Sequence, residues 1–264
     1  KDATSKQAFT GRYRLGPERV PYRLVIFSDF QCKDCKRVEG EIAEVMAARS
    51  DLSLSMKHFP MCTACNSHMG TLNLHPNACW AARAAEAAGK LKGSDGFFQL
   101  FRWLYDRTGS FTDAELRAAT VSMGYTPGEL EALMQGDEML ALVHADIEEA
   151  IDLGIQYTPL VFLNGVELRG WEVPGTVKKA LLALDGKAPA ATADADRPAG
   201  AGHKYLEDWR VHPPRRAAAD TKPHYIVGDG TSRVQVVVFG DYQEEFTRKM
   251  DAEIRRLAGA RSDV

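Results

Sequence analysis

The feature that most constrains this chain is a pair of cysteines, Cys32 and Cys35, set where a strand pattern hands over to a helix pattern. Leu24-Val25-Ile26-Phe27 is a short apolar run with the length and β-branched content of a buried strand. From about Lys36 to Arg49 the polar and apolar residues recur as in a helix. A C-x-x-C at such a junction puts its first sulfur at the helix N-terminus, where unpaired N–H groups and the positive dipole end favour the thiolate. The second sulfur lies one turn on, close enough to close a small disulfide ring. The thiolate then attacks a partner disulfide and the second thiol resolves the mixed disulfide. The same spacing also suits half of a zinc site, which needs two further ligands, or an inert structural disulfide. The buried strand before it and the helix after it favour the redox reading.

Composition narrows the function classes. The chain has 264 residues, 45% apolar and 26% charged, with a net charge of −3. That balance gives no broad electrostatic case for nucleic acid or a membrane surface. No apolar run approaches the ~18 residues that a membrane-spanning helix needs. The chain opens on Lys1 without an initiator Met or a signal peptide, as expected of a processed or trimmed protein. Four of the five cysteines fall in two C-x-x-C pairs, a usage that calls for redox or metal work.

Residues 1–21 read as a polar lead-in with a short edge strand near Tyr13. Asp51–Phe59 alternates Leu52, Leu54 and Met56 against Ser53, Ser55 and Lys57, the pattern of a second strand. Strand, helix, strand without a hairpin turn implies a right-handed parallel crossover. Helices are expected over Asn77–Leu91, Asp95–Asp106, Asp113–Met123 and Glu138–Leu153. The third opens on a capping box, Thr112 with Glu115, and Pro127 marks the first position of another helix after Thr126. The aromatic residues of 97–104 belong to the core rather than to a ligand box. Pro159–Leu163, Asn164-Gly165 and Val166–Leu168 form a hairpin with a type I′ turn signal. A closing helix runs from Gly175 to Leu184. Residues 187–222 are an Ala/Pro-rich linker whose anchors are Tyr205, Leu206 and Trp209.

Taken together, FSDFQCKDC at 27–35, KHFP at 57–60, CN and HPNACWAARAAEAAG between 65 and 89, and YTPLVFLNG at 157–165 resemble the DsbA-like branch of the thioredoxin superfamily. The resemblance covers residues 12–186, and four separated motifs fall in the family's order. It implies an α/β thioredoxin fold with an inserted helical domain at about 76–153. It implies a nucleophilic Cys32, a resolving Cys35, and Thr158-Pro159 as a cis-proline element that binds substrate. Lys33 and Asp34 inside the ring are candidates for tuning the thiolate in opposite senses, and Asp29 is a candidate proton acceptor or a turn cap. The family's strong oxidant has Pro-His at 33–34, so a less oxidising disulfide is expected here. Relatives that work beside a vitamin K epoxide reductase-like oxidase carry the CN and HPxAC pair, which implies a structural disulfide between Cys65 and Cys79. A Cys62–Cys65 pair, or zinc held by Cys62, Cys65, Cys79 and His68 or His75, are the alternatives.

A repeat follows at an offset of 212. Residues 13–51 and 225–263 share 12 of 39 ungapped positions, among them Asp29 with Asp241 and Gln31 with Gln243. Cys32 and Cys35 are replaced by Glu244 and Thr247. Residues 223–264 therefore read as a truncated, redox-inactive thioredoxin-like repeat whose strand, Val234–Phe239, lacks the elements to cover it.

The expected function is extracytoplasmic, periplasmic in the family's terms: a thiol-disulfide oxidoreductase exchanging with protein substrates, without cofactor or metal. Expected partners are proteins with thiols or disulfides and a vitamin K epoxide reductase-like or DsbB-like membrane protein, not nucleic acid. The competing readings are a binding or chaperone module with structural cysteines, and a Cys/His metal-handling protein.

Overall fold

The computed structural model describes residues 9–184, 196–211, 227–228 and 234–261. It divides into two units, Lys1–Trp209 and Arg210–Val264.

The first unit is built on a five-stranded sheet in the order β1-β3-β2-β4-β5. Its elements are β1 (Arg14–Leu15), β2 (Tyr22–Ser28), α1 (Lys33–Ala48), β3 (Leu52–His58), α2 (Ala78–Asp106), α3 (Asp113–Ser122), α4 (Glu129–Gln135), α5 (Asp137–Asp152), β4 (Leu160–Leu163), β5 (Val166–Glu167), α6 (Thr176–Leu182) and α7 (Ala201–Val211). β2 pairs parallel with β3 and antiparallel with β4, so it lies at the sheet's centre. That position explains its unbroken apolar run, since a central strand is covered on both faces. Leu24 and Ile26 join a buried cluster with Val38, Ile42 and Val45 of α1 and Leu181 of α6. Val25 and Phe27 join another with Val143 and Ile147 of α5. Each such side chain contributes about 1.5–3 kcal/mol on burial. This is a thioredoxin fold with helices α2 to α5 inserted between β3 and β4.

The structure differs from expectation in several places. α1 starts at Lys33, three residues early, because Cys32 itself caps it. The alternation of β3 suggests a half-exposed strand, yet all seven residues are buried. Its polar members are satisfied internally: the Ser55 hydroxyl accepts from Gly11 N at 2.9 Å, and Lys57 pairs with Glu149. The first two expected insert helices run together as α2, with non-helical backbone at Lys92 and at Gly93, whose φ of +63° a glycine adopts without strain. α3 keeps its capping box. α4 starts at Glu129 behind Gly128, in the left-handed region at φ +83°, so Pro127 precedes the helix. Asn164 and Gly165, at φ +48° and +77°, form the expected hairpin turn.

The linker reading meets two findings. Residues 201–211 form α7, on which Leu206 and Trp209 are exposed rather than docked. Asp196 is buried and accepts from the Arg23 guanidinium at 2.5 and 2.9 Å. Residues 187–195 and 212–222 of that stretch, and 223–226, 229–233 and 262–264 of the expected repeat, lie outside the described residues.

In the second unit, α8 spans Glu245–Ala260. Residues 234–240 form no strand, a correction to the sequence reading. Val236, Val237 and Phe239 are exposed there. Strand structure needs a neighbouring ladder, and none is present among the described residues of this unit.

Candidate functional site

The end of β2 feeds directly into the cap of α1, and this hand-over builds the site. Cys32 N donates to the Asp29 carbonyl at 3.1 Å, which closes the turn. The Cys32 sulfur then accepts from Cys35 N at 3.3 Å, in the role a serine or aspartate oxygen usually takes at a helix N-cap. Cys32 is 8% exposed and Cys35 is fully buried. Both are unbonded thiols.

The two sulfurs are driven apart electrostatically. The hydrogen bond from the Cys35 thiol lowers the Cys32 pKa to about 6 against the opposing effect of burial, helped by the Cys35 N–H and by Thr158. The Asp29 charge works the other way. Burial pushes the Cys35 thiol well above its ordinary value, and the neighbouring Cys32 adds to that. The pair therefore favours a thiolate on the slightly exposed Cys32 and a thiol on the fully buried Cys35. Attack belongs to the first and resolution to the second.

Thr158 lies against the same sulfur: the Cys32 thiol reaches the Thr158 carbonyl at 3.6 Å. The Thr158–Pro159 peptide bond is cis. Lys33 and Asp34 are exposed, and Asp34 turns to Arg37 at 3.2 Å. Cys35, Thr158 and Asp29 are neighbours that shift Cys32.

Asp29 is 2% exposed and occupied as a hub. One carboxylate oxygen accepts from Gln31 N at 2.7 Å; the other accepts from Met61 N and the His75 imidazole, both at 2.7 Å. Of its two readings the geometry shows the turn cap. The Asp29 hydrogen bond raises the His75 pKa, and Cys32 adds to the rise. Sequence reasoning treated His75 as a metal candidate and gave it no place beside Asp29, because the pairing spans 46 residues.

Cys65 and Cys79 are joined by a disulfide across 14 residues. That bond removes two ligands from the zinc alternative. Cys62 is a buried free thiol whose sulfur reaches the Pro76 carbonyl at 3.5 Å. Among the described residues, His58, Glu86 and Asp146 converge closely enough for a metal. The Arg12 guanidinium already fills that place, bonded to Glu86 at 3.0 Å and to Asp146 at 2.6 and 2.9 Å.

The alignment at an offset of 212 extends to geometry. α8 starts and ends at the counterparts of the first and last residues of α1. Gln243 N donates to the Asp241 carboxylate at 2.8 Å, as Gln31 N does to Asp29. Glu244 N donates to the Asp241 carbonyl at 3.1 Å, and Thr247 N donates to the Glu244 carboxylate at 2.5 Å. A carboxylate thus occupies the place of the Cys32 sulfur.

Residues 23–183 match the family described as DSBA-like thioredoxin domain. The chain is 30% identical over 163 residues to a Na(+)/H(+) antiporter NhaA 1 of Mycolicibacterium vanbaalenii, covering 60% of this chain and 24% of the antiporter. The NhaA 1 of Mycolicibacterium gilvum is also 30% identical, over 62% of this chain and 25% of its own length. The chain therefore spans about a quarter of the length of these curated relatives. No helix among the described residues is long and apolar enough to cross a membrane. Among solved structures, the thiol-disulfide exchange protein alpha-DsbA2 from Wolbachia pipientis superposes with a TM-score of 0.54 at 17% identity, covering 66% of this chain and 87% of that one. Oxidised BdbD from Bacillus subtilis gives 0.51 at 18% identity over 66% and 96%. These likenesses are of fold.

Proposed function

We propose that this chain, which belongs to the DSBA-like thioredoxin domain family, exchanges thiols and disulfides with protein substrates through Cys32 and Cys35. The observation that carries this reading is the Cys32 thiolate, lowered to about 6 at the cap of α1 beside a fully buried Cys35. The Cys32 thiolate attacks one sulfur of a substrate disulfide and the other substrate sulfur leaves as a thiolate. Cys35, deprotonated, attacks Cys32, and the second substrate sulfur leaves. The protein dithiol is oxidised to a disulfide as the substrate is reduced, and the reverse sequence oxidises a substrate dithiol.

Thr158 and Pro159 are the proposed substrate contacts, supported by the approach of the Thr158 carbonyl to the Cys32 sulfur. A periplasmic or other extracytoplasmic setting suits the Cys65–Cys79 bridge, since disulfides persist in oxidising compartments. A vitamin K epoxide reductase-like or DsbB-like membrane protein is the proposed partner that resets the dithiol. Residues 223–264 are proposed as the opening of a redox-inactive repeat, on the strength of the matching caps of α1 and α8.

The test is reduction of insulin and of a chromogenic disulfide by the reduced protein. Cys32→Ser abolishes exchange, whereas Cys35→Ser traps mixed disulfides. A Cys35→Ser protein that is inert and traps nothing refutes the assignment of roles.

A further inference from the structure

α2 returns to its own starting point. Its 29 residues would span about 44 Å as a straight helix, yet the Asn77 side chain at its start donates to the Gly109 carbonyl beyond its end at 2.7 Å. The non-helical backbone at Lys92 and Gly93 makes that reversal. Asn77 holds the N-cap position, but its side chain caps nothing in α2 and reaches Gly109 instead. Gln31 joins both ends to the turn before α1. Its side-chain carbonyl accepts from Asn77 N at 2.7 Å, and its amide donates to the Ser110 hydroxyl at 3.0 Å. The chain bends to meet it through Thr108 and Gly109, at φ +51° and +59°. That conformation is costly for a β-branched threonine and suits a glycine. A Cβ on Gly109 would lie 2.7 Å from Gln31 Cγ and 2.9 Å from the Phe30 carbonyl carbon.

We infer that Gln31 is a positioning residue for the nucleophilic sulfur: its side chain clamps both ends of α2 to the turn that delivers Cys32 to the cap of α1. The inference rests on the exchange reaction proposed above. Gln31 is the third residue of the turn from Asp29 to Cys32. Cys32 N closes that turn on the Asp29 carbonyl at 3.1 Å, and Gln31 N donates to the Asp29 carboxylate at 2.7 Å. Two further bonds from the Gln31 side chain tie the turn to the insert, alongside Lys36 Nζ on the Asp106 carbonyl at 3.2 Å. Cys32 is thereby kept where its sulfur accepts from Cys35 N at 3.3 Å and faces the Thr158 carbonyl at 3.6 Å. Exchange needs that placement at both of its steps. The attacking thiolate needs the cap N–H. In the mixed disulfide the Cys32 sulfur must lie in line between Cys35 and the substrate sulfur, so that the Cys32–Cys35 bond forms as the Cys32–substrate bond breaks and the electron pair leaves on the substrate sulfur. An amide suits this post better than a carboxylate, because it offers a donor and an acceptor without placing a charge beside the thiolate.

The test follows iodoacetamide labelling of Cys32 in the full reduced chain as a function of pH, with insulin reduction measured in parallel. Gln31→Met keeps the length and packing of the side chain and removes both of its bonds to the insert. Its labelling midpoint is expected to rise by about 0.7 pH unit, which slows labelling at pH 6 about threefold, the effect of one to two hydrogen bonds between neutral groups. The charged groups that face Cys32 are Cys35 of α1, Asp29 of the turn and His75 of the loop after β3, and the substitution alters none of them. Ser110→Ala gives a smaller rise in the same direction, and Ser110→Thr, which keeps the hydroxyl, holds the wild-type midpoint. An unchanged midpoint in folded Gln31→Met overturns the inference even where its Tm falls, since a purely structural clamp lowers Tm alone. If Gln31→Met does not fold, an unchanged midpoint in Ser110→Ala overturns it. A wild-type protein that is labelled at Cys32 but reduces no insulin indicts the exchange reading itself, whereas normal insulin reduction with an unmoved midpoint indicts only the clamp.

Discussion

The His75 imidazole donates to the Asp29 carboxylate at 2.7 Å, and through it the loop after β3 balances a charge that opposes the Cys32 thiolate. That bond raises the His75 pKa against the opposing effect of burial, and Cys32 adds to the rise. His75→Gln leaves the Asp29 charge uncompensated, so the Cys32 pKa moves up. Alkylation of Cys32 at pH 6, where about half of it is ionised, is expected to slow by roughly threefold, as for a charge interaction of about 1 kcal/mol. The pH dependence of iodoacetamide labelling measures it, and an unchanged midpoint shows that the pair is structural only.

The reduced protein should gain stability as pH rises from 6 toward 9. Cys32 is depressed from 9.0 to about 6 in the fold, so its contribution is present in full above the unfolded value and is lost as pH falls through the folded one. The raised Cys35 acts in the opposite sense above its unfolded value of 9.0, where the gain ends. Between pH 6 and 8 the gain over Cys32→Ser is at most about 3 kcal/mol. Urea unfolding of both proteins across that range, under reducing conditions, reads it directly.

Replacing both Cys65 and Cys79 by Ser opens a bridge that spans 14 residues. The loss is about 3 kcal/mol, or roughly 6–12 °C in Tm for a domain of this size. Non-reducing peptide mapping of the wild type must first recover the Cys65–Cys79 peptide; a Cys62–Cys65 peptide instead would refute the pairing.

Arg12→Met should be the most destabilising surface-proximal change in the first unit. Glu86 and Asp146 are 1% and 2% exposed, and both bond Arg12. Without the guanidinium two buried carboxylates lose their cation, at a cost of about 3–5 kcal/mol. Chemical denaturation is the measurement, and a cost below about 1 kcal/mol would show that the cluster takes up protons or water instead.

Truncation after Val211 is expected to leave Cys32 exchange and first-unit stability intact. Truncation after Leu184 removes Asp196 and with it the carboxylate that pairs the Arg23 guanidinium, which keeps its bond to the Val20 carbonyl at 2.8 Å. That shorter chain should unfold at lower denaturant by about 1–3 kcal/mol, the loss of hydrogen bonds between charged groups. Equal midpoints for the two truncations would show that Asp196 contributes nothing.

Local pattern carried much of this protein. The apolar run of β2, the cysteine spacing, the Thr112 capping box and the Asn164-Gly165 turn are each set by neighbours within a few residues, and each is read from the chain with no knowledge of the fold. The resemblance to a family supplied the Cys65–Cys79 pairing and the significance of Thr158-Pro159. Tertiary structure alone decided which polar groups meet. Asp29 with His75, Ser28 with Tyr105, Arg12 with Glu86 and Asp146, and Arg23 with Asp196 are separated by 46 to 173 residues. No periodicity marks such pairs, because the cost of burying each charge or hydroxyl is met only when the sheet and the inserted helices have brought its partner into place.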